Sequence, residues 1–167
     1  LESTVLDISQ GLATILRPGA ISYEDLKDLY PDIKEDEALM DQSQTPRSPG
    51  QKYRHYAPEA EMLLFTGLVE DIVDVIKEKL VDLTEEGLRV GIMATEETKD
   101  LYGGALVKVV GSRLHKETIA ANLFETIREF DRENVDIILA EGIDMGRLGT
   151  AIMNRMIKAA GGRIIST

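Results

Sequence analysis

The stretch from Ser48 to Pro58 has the highest density of chemically versatile side chains in the sequence. Prolines near both ends disfavour a helix or a central strand, and Gly50 permits a positive φ. The 167-residue chain has five tyrosines and two histidines, and three of these seven residues lie here. The side chains suited to phosphate or purine contacts are Ser48, Lys52, Tyr53, Arg54, His55 and Tyr56. The stretch therefore predicts a nucleotide contact, with an ordinary linker as the alternative.

A second group of candidate residues lies near the start of the chain. Ser3 and Thr4 are tandem hydroxyls at the beginning of a predicted strand, and Arg17 directly precedes Pro18-Gly19. Hydroxyls can bind phosphate or carboxylate oxygens, and a guanidinium offers a permanently charged, forked donor. Such residues are also common on ordinary protein surfaces, so the pattern alone does not establish a site.

A third group follows the predicted strands of the second half of the chain. Its members are Thr95-Glu96-Glu97, Ser112-Arg113 with His115, and Glu141-Gly142-Ile143-Asp144. Ligands of open parallel sheets gather at the carboxyl ends of strands. Glu141 with Asp144 could hold a hard cation such as magnesium, although acids in such places more often cap helices or face water. The sequence contains neither the dinucleotide fingerprint nor a phosphate loop of the Gly-Lys-Ser/Thr type.

The elements that position the first two groups are two short strands, a brief helix and a linker. Residues 5–8 and 14–16 predict two short strands around a turn, and Ser22 with Asp25 matches a capping box before a brief helix. Residues 34–47 are acidic, with few apolar anchors, which predicts a mobile linker.

From residue 59 onward, apolar strands alternate with amphipathic helices. The strands are expected at residues 62–65, 90–93, 106–110, 135–140 and 163–165. Most are apolar on both faces, which predicts a parallel sheet covered by helices on both sides. The expected fold class is α/β, with a Rossmann-like three-layer domain at residues 59–167.

Composition narrows the possible functions. Nineteen basic and thirty acidic residues give a net charge of −11, which disfavours direct nucleic-acid binding because phosphate backbones attract clustered Lys and Arg. Cysteine is absent, which excludes disulfides and thiolate metal sites. No apolar run approaches bilayer length and no leader pattern opens the chain, so no membrane association and a cytoplasmic location are expected.

Four motifs in chain order resemble the long, two-domain threonylcarbamoyl-AMP synthases, in which a YrdC-like catalytic domain precedes a smaller C-terminal domain. The linker of this family typically reads Ser-Pro-Gly-Met-Lys-Tyr-Arg-His-Tyr-Ala-Pro, and this chain differs only at Gln51. The other matching motifs are Ser3–Asp7, Ile15–Ile21 and Ala151–Ala160. The resemblance implies a remnant of the catalytic α+β domain at residues 1–33, an interdomain linker or lid at 34–58, and the C-terminal domain at 59–167.

The resemblance also implies an activity for the intact protein. Such a nucleotidyltransferase joins L-threonine, bicarbonate and ATP into threonylcarbamoyl-AMP and releases pyrophosphate, with magnesium expected. The product feeds the downstream tRNA threonylcarbamoyl-transferase machinery, which makes threonylcarbamoyladenosine. By this resemblance Ser3 contacts L-threonine, and the residues that contact ATP are Thr4, Arg17, Ser48, Tyr53, His55 and Tyr56. It favours a hydrogen-bonding role for His55 over that of a catalytic base, and it assigns no catalytic residue.

Most of the catalytic domain is expected upstream of Leu1, so this segment alone is expected to be inactive. The main alternative is a stand-alone Rossmann-like ligand-binding or regulatory module without catalysis. An RNA-binding protein is a weaker alternative, because the net charge of −11 opposes it.

Overall fold

A computed structural model describes residues 3–39, Ser48 and residues 57–167. The described residues divide into two compact units. The first contains the amino-terminal residues together with Asp144–Arg155, and the second contains the following residues up to Ile143 together with Met156–Thr167. The sequence predicted a single domain from residue 59 onward, whereas Asp144–Arg155 groups with the amino-terminal unit.

The first unit is built on a three-stranded sheet with one short helix. Its strands are β1 (Val5–Asp7), β2 (Thr14–Arg17) and β3 (Lys34–Glu35), in the order β1-β2-β3. β1 pairs with β2 in antiparallel fashion, and β3 pairs with β2 in parallel. Helix α1 (Tyr23–Leu29) begins at the predicted capping box. The buried core of the unit consists of Ile15, Leu26 and Ile33.

Strand β3 corrects the predicted start of the linker. The amide of Lys34 donates to the carbonyl of Ala13 at 3.0 Å, and the amide of Asp36 donates to the carbonyl of Ile15 at 2.9 Å. A 3₁₀ turn follows at Glu37–Leu39. Backbone groups pair regardless of side-chain charge, so the acidic composition hid a strand that the buried Ile33 anchors. Residues 40–47 lie outside the described part of the chain.

The second unit contains the predicted parallel sheet. The strands are β4 (Glu61–Thr66), β5 (Val90–Thr95), β6 (Leu106–Gly111), β7 (Ile137–Glu141) and β8 (Ile164–Ser166). Their order is β6-β5-β7-β4-β8, and every neighbouring pair is parallel. β5 and β7 are neighbours, but the chain continues from β5 to one edge of the sheet and from β7 to the other. The carboxyl ends of these two strands therefore form a topological switch point.

Helices cover both faces of this sheet, as the apolar strands predicted. Helix α2 (Val69–Glu85) buries Ile72 and Ile76 against one face. Helix α3 (Lys116–Glu133) lies on the other face, where the Phe130 ring occupies the space beside Gly91. Helix α4 (Leu148–Ala159) begins in the first unit and ends in the second. The result is an α/β fold with three layers.

Among the described residues, no helix is both long enough and apolar enough to cross a bilayer.

Candidate functional site

The β1-β2 pairing brings together the predicted residues Ser3, Thr4 and Arg17. Val5 lies opposite Arg17 in the antiparallel ladder, so the residues before Val5 lie beside the end of β2. Arg17 Nε donates to the carbonyl oxygen of Ser3 at 3.0 Å. The guanidinium and the tandem hydroxyls therefore share one end of the small sheet.

Thr4 already has a hydrogen-bond partner in this arrangement. Its hydroxyl donates to the carbonyl oxygen of Ile21 at 2.7 Å. A hydroxyl has a single proton, so in this conformation Thr4 Oγ1 can accept a further hydrogen bond but cannot donate one. The sequence predicted that Thr4 contacts ATP. In this structure its hydroxyl also holds the loop at Ile21.

Of the predicted linker at residues 34–58, the structure describes residues 34–39, Ser48, Ala57 and Pro58. Ser48 is buried, with 3% exposure, and its hydroxyl has no hydrogen-bond partner among the described residues. A buried hydroxyl without a partner is costly unless another group satisfies it. The other predicted contacts, Tyr53, His55 and Tyr56, lie outside the described residues.

In the second unit, Glu141 is the centre of a buried polar cluster at the switch point. Glu141 ends β7 and has 1% exposure. Its Oε1 accepts hydrogen bonds from Tyr102 Oη and Thr98 Oγ1, both at 2.5 Å. Its Oε2 accepts from Arg113 Nη2 at 2.8 Å and from Thr95 Oγ1 at 3.1 Å. We call these five residues the switch-point cluster.

The switch-point cluster satisfies the buried carboxylate almost completely. Arg113 supplies the opposite charge, and its Nε also donates to Thr95 Oγ1 at 3.1 Å. Desolvation raises the pKa of Tyr102, and the bond to Glu141 raises it further, so the phenol remains a neutral donor at physiological pH. A buried ion pair is tolerated only when its remaining hydrogen-bonding capacity is filled, and the three hydroxyls fill it here.

Glu97 holds the loop that carries Arg113. The Glu97 carboxylate accepts from Ser112 Oγ at 2.6 Å and from the Arg113 amide at 3.0 Å. Burial raises the pKa of Glu97, but the bonds from Ser112 and from the amides of Arg113 and Leu114 outweigh it and lower this pKa to about 2. The charged carboxylate thus orders the loop between β6 and α3 and directs Arg113 towards Glu141.

The pairing of Glu141 with Asp144 as a magnesium site does not fit this geometry. Both Glu141 oxygens already accept short hydrogen bonds, and one of them faces a guanidinium. Within residues 3–39, 48 and 57–167, no group of three or more His, Asp or Glu side chains is arranged to hold a metal ion.

The sequence predicted part of the switch-point cluster but not all of it. Thr95, Arg113 and Glu141 belonged to the predicted strand-end groups, while Thr98 and Tyr102 did not. Thr98 directly precedes the 3₁₀ turn Lys99–Tyr102, and Tyr102 ends this turn. Their closeness in sequence to Thr95 was the available signal. His115, which was grouped with Arg113, lies apart from the cluster, with its Nδ1 3.4 Å from Glu117.

The chain is an α/β protein of two units, each with its own group of polar side chains. Its second unit is a parallel three-layer domain with a closed polar cluster at the switch point, and its first unit is a small mixed sheet that presents hydroxyls and a guanidinium. The chain belongs to the threonylcarbamoyl-AMP synthase C-terminal domain family, which matches residues 21–161.

Named relatives agree with this membership. The threonylcarbamoyl-AMP synthase of Bacillus subtilis is 42% identical over 165 residues, which cover 99% of this chain and 46% of the relative. The corresponding synthase of Pyrococcus abyssi is 39% identical over 166 residues, which cover 99% of this chain and 47% of the relative. The chain thus spans about half the length of the curated relatives it matches.

Solved structures give the same result for the fold. The crystal structure of P. abyssi Sua5 complexed with L-threonine superposes with a TM-score of 0.89 at 38% identity, covering 99% of this chain and 47% of that one. A variant of the P. abyssi protein in which a histidine and the adjacent tyrosine are alanine gives a TM-score of 0.89 at 37% identity, covering 100% of this chain and 47% of that one.

Proposed function

We propose that the intact protein synthesises threonylcarbamoyl-AMP from L-threonine, bicarbonate and ATP and releases pyrophosphate. The observation that carries this proposal is the family match over residues 21–161, to which the synthase names of the relatives add support. The L-threonine bound in the P. abyssi structure supports threonine as a substrate. A stand-alone regulatory module is not favoured, because the matched relatives are named as synthases.

The reaction forms two bonds in sequence. The amine of threonine attacks the carbon dioxide that bicarbonate provides and loses a proton, which gives a carbamate. A carbamate oxygen then attacks the α-phosphorus of ATP, the bond to the bridging oxygen of the β-phosphate breaks, and pyrophosphate leaves. The second step brings the carbamate anion to the anionic phosphates of ATP, so positioning and neutralisation of charge are the main tasks of the protein.

Residues of this chain supply one side of the proposed site. Arg17 binds nucleotide phosphates through its guanidinium, and Ser3 binds L-threonine at the same end of the small sheet. Thr4 Oγ1 accepts a hydrogen bond from a ribose hydroxyl or the adenine amino group of ATP, while its own hydroxyl donates to the Ile21 carbonyl. The unpartnered hydroxyl of Ser48 is suited to donate to a phosphate oxygen.

The linker side chains complete the nucleotide contacts in this proposal. Tyr53, His55 and Tyr56 close over ATP, which keeps water from the labile mixed anhydride. His55-Tyr56 is the only His-Tyr pair in this sequence, and a histidine-tyrosine pair is what the P. abyssi variant lacks. Magnesium enters with ATP, held by its phosphates. The product passes, in the cytoplasm, to the machinery that modifies tRNA.

A comparison of the intact protein with this segment tests the proposal. The intact protein should release pyrophosphate from ATP only when threonine and bicarbonate are both present, whereas residues 1–167 alone should release none. Omission of either substrate is the control. Equal turnover by the two proteins would place the chemistry in this segment, and no threonine dependence in the intact protein would refute the activity.

A further inference from the structure

Arg147 contacts the first helix of the amino-terminal unit from the far end of the sequence. It lies between β7 and α4, in the segment Asp144–Arg155 that groups with the first unit. Its Nη1 lies 3.3 Å from Asp25 Oδ1. One side chain of this segment therefore binds an acid in the first turn of α1.

Asp25 divides its two oxygens between Arg147 and the capping box. Oδ2 accepts from the Ser22 hydroxyl at 2.7 Å and from the Ser22 amide at 3.1 Å, which leaves Oδ1 for Arg147. The Ser22 hydroxyl, the Ser22 amide and the charge of Arg147 all lower the pKa of Asp25. The carboxylate is thus charged at neutral pH and links Arg147 to the buried Ser22.

The capping box is directly connected to the proposed substrate-binding residues. Ser22 follows Ile21, whose carbonyl accepts the hydroxyl proton of Thr4 at 2.7 Å. The loop of residues 18–21 joins this point to Arg17, which in turn holds the Ser3 carbonyl. Continuous contacts therefore run from Arg147 through Asp25 and Ser22 to the end of the small sheet.

The backbone around Arg147 is fixed in an uncommon conformation. Arg147 has a φ of 49°, in the left-handed region that non-glycine residues rarely adopt. The amide of Gly146 donates to Thr150 Oγ1 at 3.1 Å, and the amide of Thr150 donates to the Arg147 carbonyl at 3.3 Å. These bonds at the start of α4 hold the Arg147 side chain towards α1.

We propose that Arg147 is a positioning residue for the nucleotide-binding end of the small sheet. It holds the first turn of α1, and through Ser22 and Ile21 it fixes the loop that presents Thr4 and Arg17 to ATP. It acts through α1 and touches no substrate. The inference rests on the proposed function. It implies that the segment between β7 and α4 contributes to the affinity for ATP.

The test replaces Arg147 in the intact enzyme. Arg147→Ala should raise the KM and the Kd for ATP about two- to fivefold, the size expected for loss of one exposed ion pair, while kcat changes little. Arg147→Lys keeps the charge and should restore most of the affinity. The matched control is Arg132→Ala, which removes another exposed arginine, paired with Glu125 on α3, and should leave both constants unchanged.

Three further measurements separate positioning from general stabilisation. Amide hydrogen exchange in α1 should be faster in Arg147→Ala without substrates, with an unchanged thermal midpoint for the second unit. The effects of Asp25→Asn and Arg147→Ala on the KM for ATP should be less than additive, because the contact between Arg147 and Asp25 is lost in each variant. The effect of Arg147→Ala should shrink in high salt, which screens an exposed pair.

The outcomes distinguish this inference from the proposed function. An intact wild-type enzyme without threonine-dependent pyrophosphate release overturns the activity alone, because the Kd for ATP and the exchange of α1 still test Arg147. An active wild type whose Arg147→Ala variant keeps its ATP affinity and α1 exchange overturns the positioning role alone. Equal losses in Arg147→Ala and Arg132→Ala also overturn it.

Discussion

Individual residues in this protein show how a charge can be kept inside a fold. Glu141 is buried, and its oxygens are distributed among one guanidinium and three hydroxyls. Removing ions from water costs several kcal/mol per ion, so such a cluster is stable only when it is complete. Arg113 is the essential member because it supplies the opposite charge.

Arg113→Met should destabilise the second unit by about 3–5 kcal/mol, because it leaves the Glu141 charge buried without a counter-ion. Urea unfolding at neutral pH measures the change. Adding Glu141→Met to Arg113→Met should recover part of the loss, since no unpaired charge remains although the Tyr102 hydroxyl loses its acceptor. Arg132→Met is the control and should cost at most about 1 kcal/mol, as is usual for an exposed pair. Similar losses in the two single variants would contradict the role of the cluster.

Among the elements, the contact between β5 and α3 depends on the absence of a side chain. Gly91 lies in β5, and a Cβ built there would be 2.6 Å from the Cδ1 and Cε1 atoms of Phe130. Phe130 is fully buried and forms part of the packing of α3. The glycine therefore sets how closely the helix approaches the sheet.

Gly91→Ala should destabilise the protein by about 1–3 kcal/mol, since the added methyl group displaces a buried ring. Gly104→Ala is the matched control, because no heavy atom lies within 4 Å of a Cβ at that glycine. The cost of Gly91→Ala should fall when Phe130 is replaced by Leu, which thermal unfolding of the four proteins in the cycle would reveal. An unchanged cost in the Leu background would show that Phe130 is not the obstacle.

At the scale of the whole molecule, the chain carries parts with separate tasks. The first unit contains the side chains that we propose bind substrate and includes Asp144–Arg155, while the second unit contains the buried switch-point cluster. In the proposed enzyme, the linker residues Tyr53, His55 and Tyr56 cover the bound ATP.

In the intact enzyme, replacing Tyr53 and Tyr56 together by alanine should lower kcat/KM for ATP by one to two orders of magnitude, because stacking and hydroxyl contacts are worth roughly 1–3 kcal/mol. Thermal midpoints should not change, since the prediction places both rings outside either core. Tyr30→Ala removes an exposed tyrosine and should have no effect on kcat/KM. Full activity in the double variant would reduce the linker motif to a tether.

The α/β class, the five parallel strands and the capping box of α1 could be predicted from the amino-acid sequence, because apolar periodicity and local hydrogen bonding are properties of neighbouring residues. The family could also be predicted from the sequence, through motifs read in chain order. The three-dimensional fold was needed to show that Thr98 and Tyr102 contact Glu141, that residues 34–35 form a strand, and that Arg147 binds α1. Each of these contacts joins residues that packing and backbone pairing bring together, and no local pattern in the sequence specifies which distant groups will meet.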